Sequence, residues 1–141
     1  VSQDSVYWLV AADGTVLDAT GDRPPGLPYV ARVPLPAEVA AGTRLPPGNE
    51  LANALTALGG MAPSLKRQVV GVKARTLDGL EFTLRDGARI LYGLAVDQAA
   101  KDTAVLLVRR ELKREGREAQ RIDVRNPSAP TVQAAQTNNN R

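Results

Sequence analysis

The sequence has no cysteine and no histidine among its 141 residues. Their absence excludes thiol nucleophiles, histidine general bases and zinc sites of the usual Cys/His type. Aromatic residues make up only 4% of the chain, too few for a platform on which nucleic-acid bases stack. No apolar run approaches the roughly 20 residues that a membrane-spanning helix needs. The length nevertheless suits one globular domain with its own core.

The net charge is small, +3 from 18 basic and 15 acidic side chains. Nucleic-acid binding requires a clustered basic face rather than a small overall excess. The densest basic segment holds Arg109, Arg110, Lys113 and Arg114. It is most simply interpreted as the solvated end of a helix, whose negative dipole end it complements. A lipid-surface or nucleic-acid role for this segment is the alternative, and we predict no nucleic-acid partner.

An Asp-Gly pair separates two apolar runs near the N-terminus. Val6–Val10 precedes Asp13-Gly14, and Thr15–Leu17 follows it. This pattern predicts a β-hairpin with a type I′ turn, which needs positive φ angles. Residues 21–36 hold five prolines, so they predict a loop with at most a short edge strand around 29–33.

Three segments in the centre of the chain alternate apolar and polar residues. They predict a three-stranded antiparallel meander, with turns at Asp78-Gly79 and Asp86-Gly87. The alternation places five side chains on the buried face of the sheet: Val70, Val72, Leu80, Phe82 and Leu84.

Two further segments have helical periodicity. Asn49 is a candidate cap for a first helix, which ends at Gly59-Gly60 and carries Leu51, Leu55 and Leu58 on one stripe. A second helix is predicted from about Asp97 to Glu115. Its apolar stripe consists of Val96, Ala100, Ala104, Leu107 and Val108.

The last alternating segment is 121–125, and a short strand is predicted to resume at about Thr131 after a break that contains Pro127 and Pro130. The whole pattern predicts the α+β class, a curved antiparallel sheet with two main helices. The domain is predicted to span 1–135. The polar residues 136–141 are predicted to be a disordered tail.

Few side chains suggest catalysis. Asp13, Asp78 and Asp86 each precede a glycine, which favours turn roles over general acid–base chemistry. Ser64 and Lys66 lack the partners of a Ser-x-x-Lys motif. Trp8 is either an interface anchor or a residue packed beside the core, and the second is favoured. We therefore predict no enzyme activity, no cofactor, no metal site and no small-molecule substrate.

Four segments resemble, in their order and spacing, the extracytoplasmic β domain of the FtsQ/DivIB family of bacterial cell-division proteins. They are Tyr7–Val10 with Asp13-Gly14, the hairpin Phe82–Gly87 continuing into Ile90–Gly93, Lys101 in the second helix, and the strand Ile122–Arg125. The likeness extends from Tyr7 to about Val132. It rests on the order of the four segments rather than on any one motif.

The resemblance implies a non-catalytic scaffold of the division complex that helps to regulate septal peptidoglycan synthesis. The implied partners are FtsB/DivIC-type and FtsL-type division proteins. Family members are single-pass membrane proteins with one transmembrane helix, a small POTRA domain and this β domain. The implied location is the extracytoplasmic face of the cell membrane at the septum, with the anchoring helix outside this chain. The alternative is another extracytoplasmic protein-binding module of an envelope-assembly or secretion complex.

The resemblance also implies a binding site at the C-terminal edge of the sheet, where an FtsB/DivIC-type partner adds a strand. The predicted contact residues are Arg125, Asn126, Thr131, Val132, Gln133 and Ala134. Arg125 is expected to contact an acidic partner residue. Because Pro127 and Pro130 lack backbone donors, pairing is expected to begin at about Thr131.

Overall fold

The computed structural model describes residues 6–31, 39–45, 50–74 and 76–134. Within them lie eight strands and three helices. The strands are β1 (Tyr7–Val10), β2 (Val16–Thr20), β3 (Tyr29–Ala31), β4 (Val69–Lys73), β5 (Glu81–Leu84), β6 (Arg89–Leu91), β7 (Ala119–Asp123) and β8 (Thr131–Ala134). The helices are α1 (Glu50–Gly60), α2 (Pro63–Lys66) and α3 (Gln98–Arg114). The predicted cap Asn49 and the predicted tail 136–141 lie outside the described residues.

The strands form a two-stranded hairpin, β1–β2, and a six-stranded sheet in the order β3-β4-β5-β6-β7-β8. The α+β class is thus confirmed, but the large sheet is mixed rather than wholly antiparallel. β3 pairs with β4 in parallel, and β6 pairs with β7 in parallel. Parallel neighbours need a crossover connection, and α1 with α2 supplies the first crossover and α3 the second. The predicted meander is the antiparallel centre, β4-β5-β6.

The main core lies between the sheet and the helices. Phe82 is its largest sheet residue, and its ring packs edge-on against that of Tyr92, with the ring centroids 5.3 Å apart. Four of the five predicted core residues of the meander are buried. The exception is Val70, because a bulge after Val69 shifts the register and buries Val69 in its place.

The β1–β2 hairpin packs on a second, smaller core of Val16, Leu45 and Leu51. Trp8 packs beside this cluster while keeping part of its surface exposed, as the sequence predicts. The sequence-predicted edge strand at 29–33 is β3 over residues 29–31, and residues 32–36 lie outside the described part of the chain.

The Asp-Gly hairpin turns differ from the predicted type I′ geometry. Gly14 and Gly87 both have φ of 90°, whereas Asp97 is the sole non-glycine residue with positive φ in the described ranges. The N–H of Gly14 donates to the carbonyl of Ala11 at 2.9 Å, and Gly87 donates to Leu84 in the same way at 2.9 Å. This is a three-residue loop, a type I turn followed by a left-handed glycine. Each aspartate therefore keeps an ordinary negative φ.

The buried face of helix α3 overlaps the predicted apolar stripe only in part, since Ala104 is buried and Val108 packs against the main core. Its buried residues are Lys101, Asp102, Ala104, Val105 and Leu112. Of the predicted apolar stripe, Val96 and Leu107 are more than half exposed and Ala100 is also exposed. The apolar stripe is therefore only partly covered by the protein itself.

Candidate functional site at the free edge of the sheet

Within the described residues, strand β8 forms one edge of the six-stranded sheet and pairs with β7 alone. The N–H of Val124, directly after β7, donates to the carbonyl of Leu91 at 3.0 Å. Because backbone groups alternate in direction along a strand, the groups of Asp123 then point away from β6 and toward β8. Asp123 pairs with Thr131.

The same alternation decides which groups of β8 are free. Thr131 and Gln133 direct their N–H and C=O groups to β7, so Val132 between them directs its own groups outward. This strand starts at Thr131, where the sequence predicts a strand to resume after the prolines. The edge thus presents the backbone donor and acceptor of Val132 to solvent.

The side chains of β8 divide between the two faces of the sheet. Val132 is in register with the fully buried Ile122, so its side chain lies on the helix-covered face. It is nevertheless 41% exposed, because no further strand in the described part of the chain lies beside it. Thr131 and Gln133 lie on the opposite, polar face and are exposed.

The β7–β8 connection is a turn organised by Asn126. Its carbonyl accepts a hydrogen bond from the N–H of Ala129 at 3.1 Å, and its side-chain oxygen accepts one from the N–H of Ser128 at 3.2 Å. Pro127 occupies the position of the turn where a fixed φ is favourable. The predicted site residue Asn126 therefore stabilises the turn that sets the direction of β8.

Arg125 is exposed at the end of β7, but its guanidinium already has a partner. It binds Asp123 through two hydrogen bonds, Nε to Oδ1 at 3.2 Å and Nη2 to Oδ2 at 2.9 Å. The hydrogen bonds from Arg125 lower the pKa of Asp123 despite its partial burial. The stem of Arg125 lies over Gly93, where an added Cβ would come within 2.9 Å of it. The side chain is thus held in one place beside the edge.

The aspartates that the sequence offers as catalytic candidates serve the turns. Asp13 accepts the N–H of Thr15 at 2.9 Å, and Asp86 accepts the N–H of Ala88 at 3.0 Å. Asp86 also binds Arg109 of α3 at 2.6 Å. Burial raises the pKa of Asp86, and its hydrogen bonds from Arg109 and Ala88 outweigh that effect and lower it. The described residues contain no cluster of acidic side chains that could hold a metal ion.

The sequence prediction missed a buried polar cluster at the start of α3. Asp102, 3% exposed, accepts the hydroxyl of Tyr92 at 3.0 Å and the N–H of Ala62 at 2.8 Å. Lys101, 2% exposed, donates to the carbonyl of Leu94 at 2.6 Å and lies over the ring of Tyr92. Burial raises the pKa of Tyr92 and lowers that of Lys101.

This cluster holds the segment that links β6 to α3. Asn53 of α1 supports the same segment, since its amide donates to the carbonyl of Gly93 at 3.2 Å and accepts the N–H of Ala95 at 2.8 Å. Gln98 donates to the carbonyl of Ala57 at 2.9 Å. The contacts lock α3 to α1 and α2, and so fix α3 relative to the edge strands.

A second surface lies at the other end of the molecule. It is an apolar groove of about 560 Å³ between the β1–β2 hairpin, β3 and α1. Trp8, Leu17, Leu27 and Tyr29 contribute to its lining. It shares no lining residue with the β7–β8 edge.

The chain also matches a known protein family over most of its length. The family described as cell division protein FtsQ/DivIB, C-terminal, matches residues 1–125. The chain belongs to the FtsQ/DivIB family. FtsQ/DivIB membership gives it a role in cell division, in a protein associated with the membrane at the division site. No individually curated protein matches the chain.

The FtsQ/DivIB match ends at Arg125, so the turn at Asn126 and the whole of β8 lie beyond it. The edge strand β8 is therefore described by the structure but is not covered by the FtsQ/DivIB match. Within the described residues, no helix combines the length and the apolar composition that crossing a membrane requires.

Proposed function

We propose that this domain is a non-catalytic scaffold of the division complex, held on the extracytoplasmic side of the membrane. In this proposal it binds FtsB/DivIC-type and FtsL-type proteins and so helps to regulate septal peptidoglycan synthesis. The FtsB/DivIC-type partner adds a strand to β8. The observation that carries the proposal is the outward-facing backbone of Val132 on β8, an exposed strand whose outer side has no partner within the described residues.

An unpaired edge is a template for another chain, and strand addition is a recurring mode of peptide recognition. Proteins usually protect such edges with charged residues, prolines or bulges. In β8, Thr131, Val132 and Gln133 are exposed and uncharged, and Pro130 precedes the strand rather than interrupting it. The edge is thus left open to pairing.

In the proposal, Arg125 lies beside this edge and favours a partner that carries an acidic residue there. Because Asp123 already binds its guanidinium in the free protein, a partner carboxylate has to share Arg125 with Asp123 or replace it. Arg125→Glu is expected to weaken binding and to reduce the salt sensitivity of the affinity. Arg114→Glu, an exposed charge change on α3, is the matched control.

The test is calorimetric titration with the extracytoplasmic segment of the FtsB/DivIC-type protein from the same genome. Val132→Pro removes the outward N–H and is expected to abolish binding while the protein stays folded, since no β7 hydrogen bond is lost. Val132→Ala keeps the N–H and is expected to bind. Tight binding by the Val132→Pro protein would show that strand addition does not occur at β8.

A further inference from the structure

Three segments of the chain meet at Gln68, between α2 and β4. The carbonyl of Gln68 accepts a hydrogen bond from the N–H of Arg85 in the β5–β6 turn at 2.9 Å. Its side-chain oxygen accepts one from the guanidinium of Arg109 on α3 at 3.1 Å. Arg109 also binds Asp86 of the same turn at 2.6 Å. These contacts hold the end of α2, the β5–β6 turn and the C-terminal half of α3 together, at the end of the sheet where β4 and β6 begin.

The exposed side chains around this junction are basic. Five of them form no ion pair within the described residues: Lys66, Arg67, Arg85, Arg110 and Lys113. We call these five residues the basic end. Lys66 and Arg67 directly precede Gln68, and Lys113 lies one helical turn beyond Arg109 on the same side of α3. Asp86, the acidic side chain at the junction, is already bound by Arg109.

The basic end concentrates the positive charge of the whole chain. Its five cations exceed the net charge of +3, so the rest of the chain is slightly acidic. Farther along α3 the charges are balanced instead, because Arg114 pairs with Glu111 at 3.6 Å and Arg117 pairs with Glu115 at 3.4 Å. The fold thus converts a small overall excess of charge into a positive field at one end of the molecule.

The composition and shape of the basic end favour a flat anionic surface as its partner. Protein interfaces depend on apolar or aromatic anchors, and no large exposed apolar side chain lies on α2 or in the β5–β6 turn, both of which the structure describes. The cations lie at the ends of helices and in a turn, and none of them lines the apolar groove at the hairpin. Clusters of about four to eight Lys and Arg residues bind anionic lipid headgroups by charge. Membership of the FtsQ/DivIB family associates the protein with the membrane at the division site.

We infer that the basic end is a membrane-contact surface that binds the headgroups of anionic phospholipids. Contact through these residues turns the β5–β6 turn and the end of α2 toward the bilayer. The strands β6 and β7 are parallel and both begin at this end of the sheet. The β7–β8 connection, with Arg125 and Asn126, therefore lies at the opposite end, away from the bilayer. Lipid contact and the binding of a partner at Arg125 are thus compatible.

The experiment is co-sedimentation of the complete chain with lipid vesicles. The chain is expected to bind vesicles of phosphatidylcholine with about one third phosphatidylglycerol, and not vesicles of phosphatidylcholine alone. Binding is expected to be lost as NaCl rises from about 0.05 M to about 0.5 M, since salt screens the attraction. Each basic residue near such a surface raises the partition coefficient about fivefold. The double variant Arg110→Gln/Lys113→Gln is therefore expected to lower it about 30-fold, and Lys66→Gln/Arg67→Gln to do the same.

The matched control is Arg44→Gln/Lys73→Gln, which removes two exposed charges outside the basic end. Arg44 bridges to Thr15 beside the N-terminal hairpin, and Lys73 ends β4 on the side of the sheet away from Gln68. The control changes the net charge by the same amount, and it is expected to lower the partition coefficient less than about threefold. If the control loses binding as strongly as the basic-end variants, the net charge rather than this surface attracts the vesicles, and the inference is wrong.

Two further measurements separate this inference from other roles of the same surface. If the chain does not bind the anionic vesicles but binds a poly-glutamate peptide through the basic end, the partner is an acidic protein segment and the inference fails. Val132→Pro is expected to bind the vesicles like the wild type, and a failure of strand addition at β8 is therefore a separate result. Vesicle-bound chain is expected to bind the FtsB/DivIC-type segment as tightly as free chain. Loss of that binding on the vesicles would contradict the orientation inferred here.

Discussion

The buried carboxylate of Asp102 gives a sharp test of what holds α3 in place. It accepts two hydrogen bonds, one from the Tyr92 hydroxyl and one from the Ala62 N–H. Asp102→Ala leaves the buried Tyr92 hydroxyl and the part-buried Ala62 N–H without this acceptor. A buried polar group left unsatisfied costs about 1–3 kcal/mol, so the expected loss of unfolding free energy is about 1–3 kcal/mol from the Tyr92 hydroxyl, plus a smaller cost from the Ala62 N–H.

The assay is urea denaturation followed by far-UV circular dichroism, with the free energy extrapolated to water. Tyr92→Phe removes one of the two orphaned donors and keeps the ring between Phe82 and Lys101. In the double variant with Asp102→Ala, the Tyr92 hydroxyl is no longer orphaned. The double variant is therefore expected to be more stable than the sum of the two single effects predicts, by about 1 kcal/mol or more.

Two results would refute this reasoning. If Asp102→Ala costs less than about 0.5 kcal/mol, as an ordinary surface change does, the carboxylate does not hold the two elements together. If the two changes are additive, Tyr92 and Asp102 are not energetically coupled, whatever their separation. Asp102→Asn keeps one acceptor oxygen and is expected to lie between the wild type and Asp102→Ala.

Three other outcomes are expected. Phe82→Ala should lower the unfolding free energy by about 3–5 kcal/mol in the same assay, and a cost below 1 kcal/mol would contradict its place in the core. Since the Arg125 hydrogen bonds depress the pKa of folded Asp123, their contribution to stability should be present above the ordinary pKa of 3.8 and be lost as the pH falls through the lower folded value. Asp123→Asn should therefore flatten the acid side of the stability–pH curve, and an unchanged curve would exclude this ion pair as a cause. Deleting residues 136–141 should change Tm by no more than about 2 °C in calorimetry, and a larger drop would mean that the tail docks.

The sequence predicts local structure well because local rules determine it. Alternation and Asp-Gly pairs locate the meander and the N-terminal hairpin, and they predict a strand at 121–125 that the structure has at Ala119–Asp123. Proline positions predict that β8 starts at Thr131. The two parallel pairings escape prediction because alternation within a strand does not reveal the direction of its neighbour. The alternating pattern does not predict the bulge after Val69 either. It therefore does not predict that Val69, rather than Val70, lies in the core.

The helix α3 shows where periodicity misleads. Lys101 and Asp102 break the apolar pattern, yet both are buried because their partners lie outside the helix, at Leu94, Tyr92 and Ala62. A single sequence contains no sign of such tertiary hydrogen bonds. The Asp123–Arg125 pair is different, since residues two apart on a strand share a face and their opposite charges could have predicted it.

The mixed sheet also has a kinetic consequence. The pairing of β3 with β4 joins Tyr29 to Gly71, and the pairing of β6 with β7 joins Arg89 to Arg121. Both require closure of long loops, which is slow compared with the formation of the meander between them. The strand β3 and the β7–β8 hairpin should consequently be the last to join the sheet, and native-state amide exchange should find the edge strands β3 and β8 the least protected. The exposed edge at β8 would then form only once β7 has joined the sheet and Ile122 has completed the core.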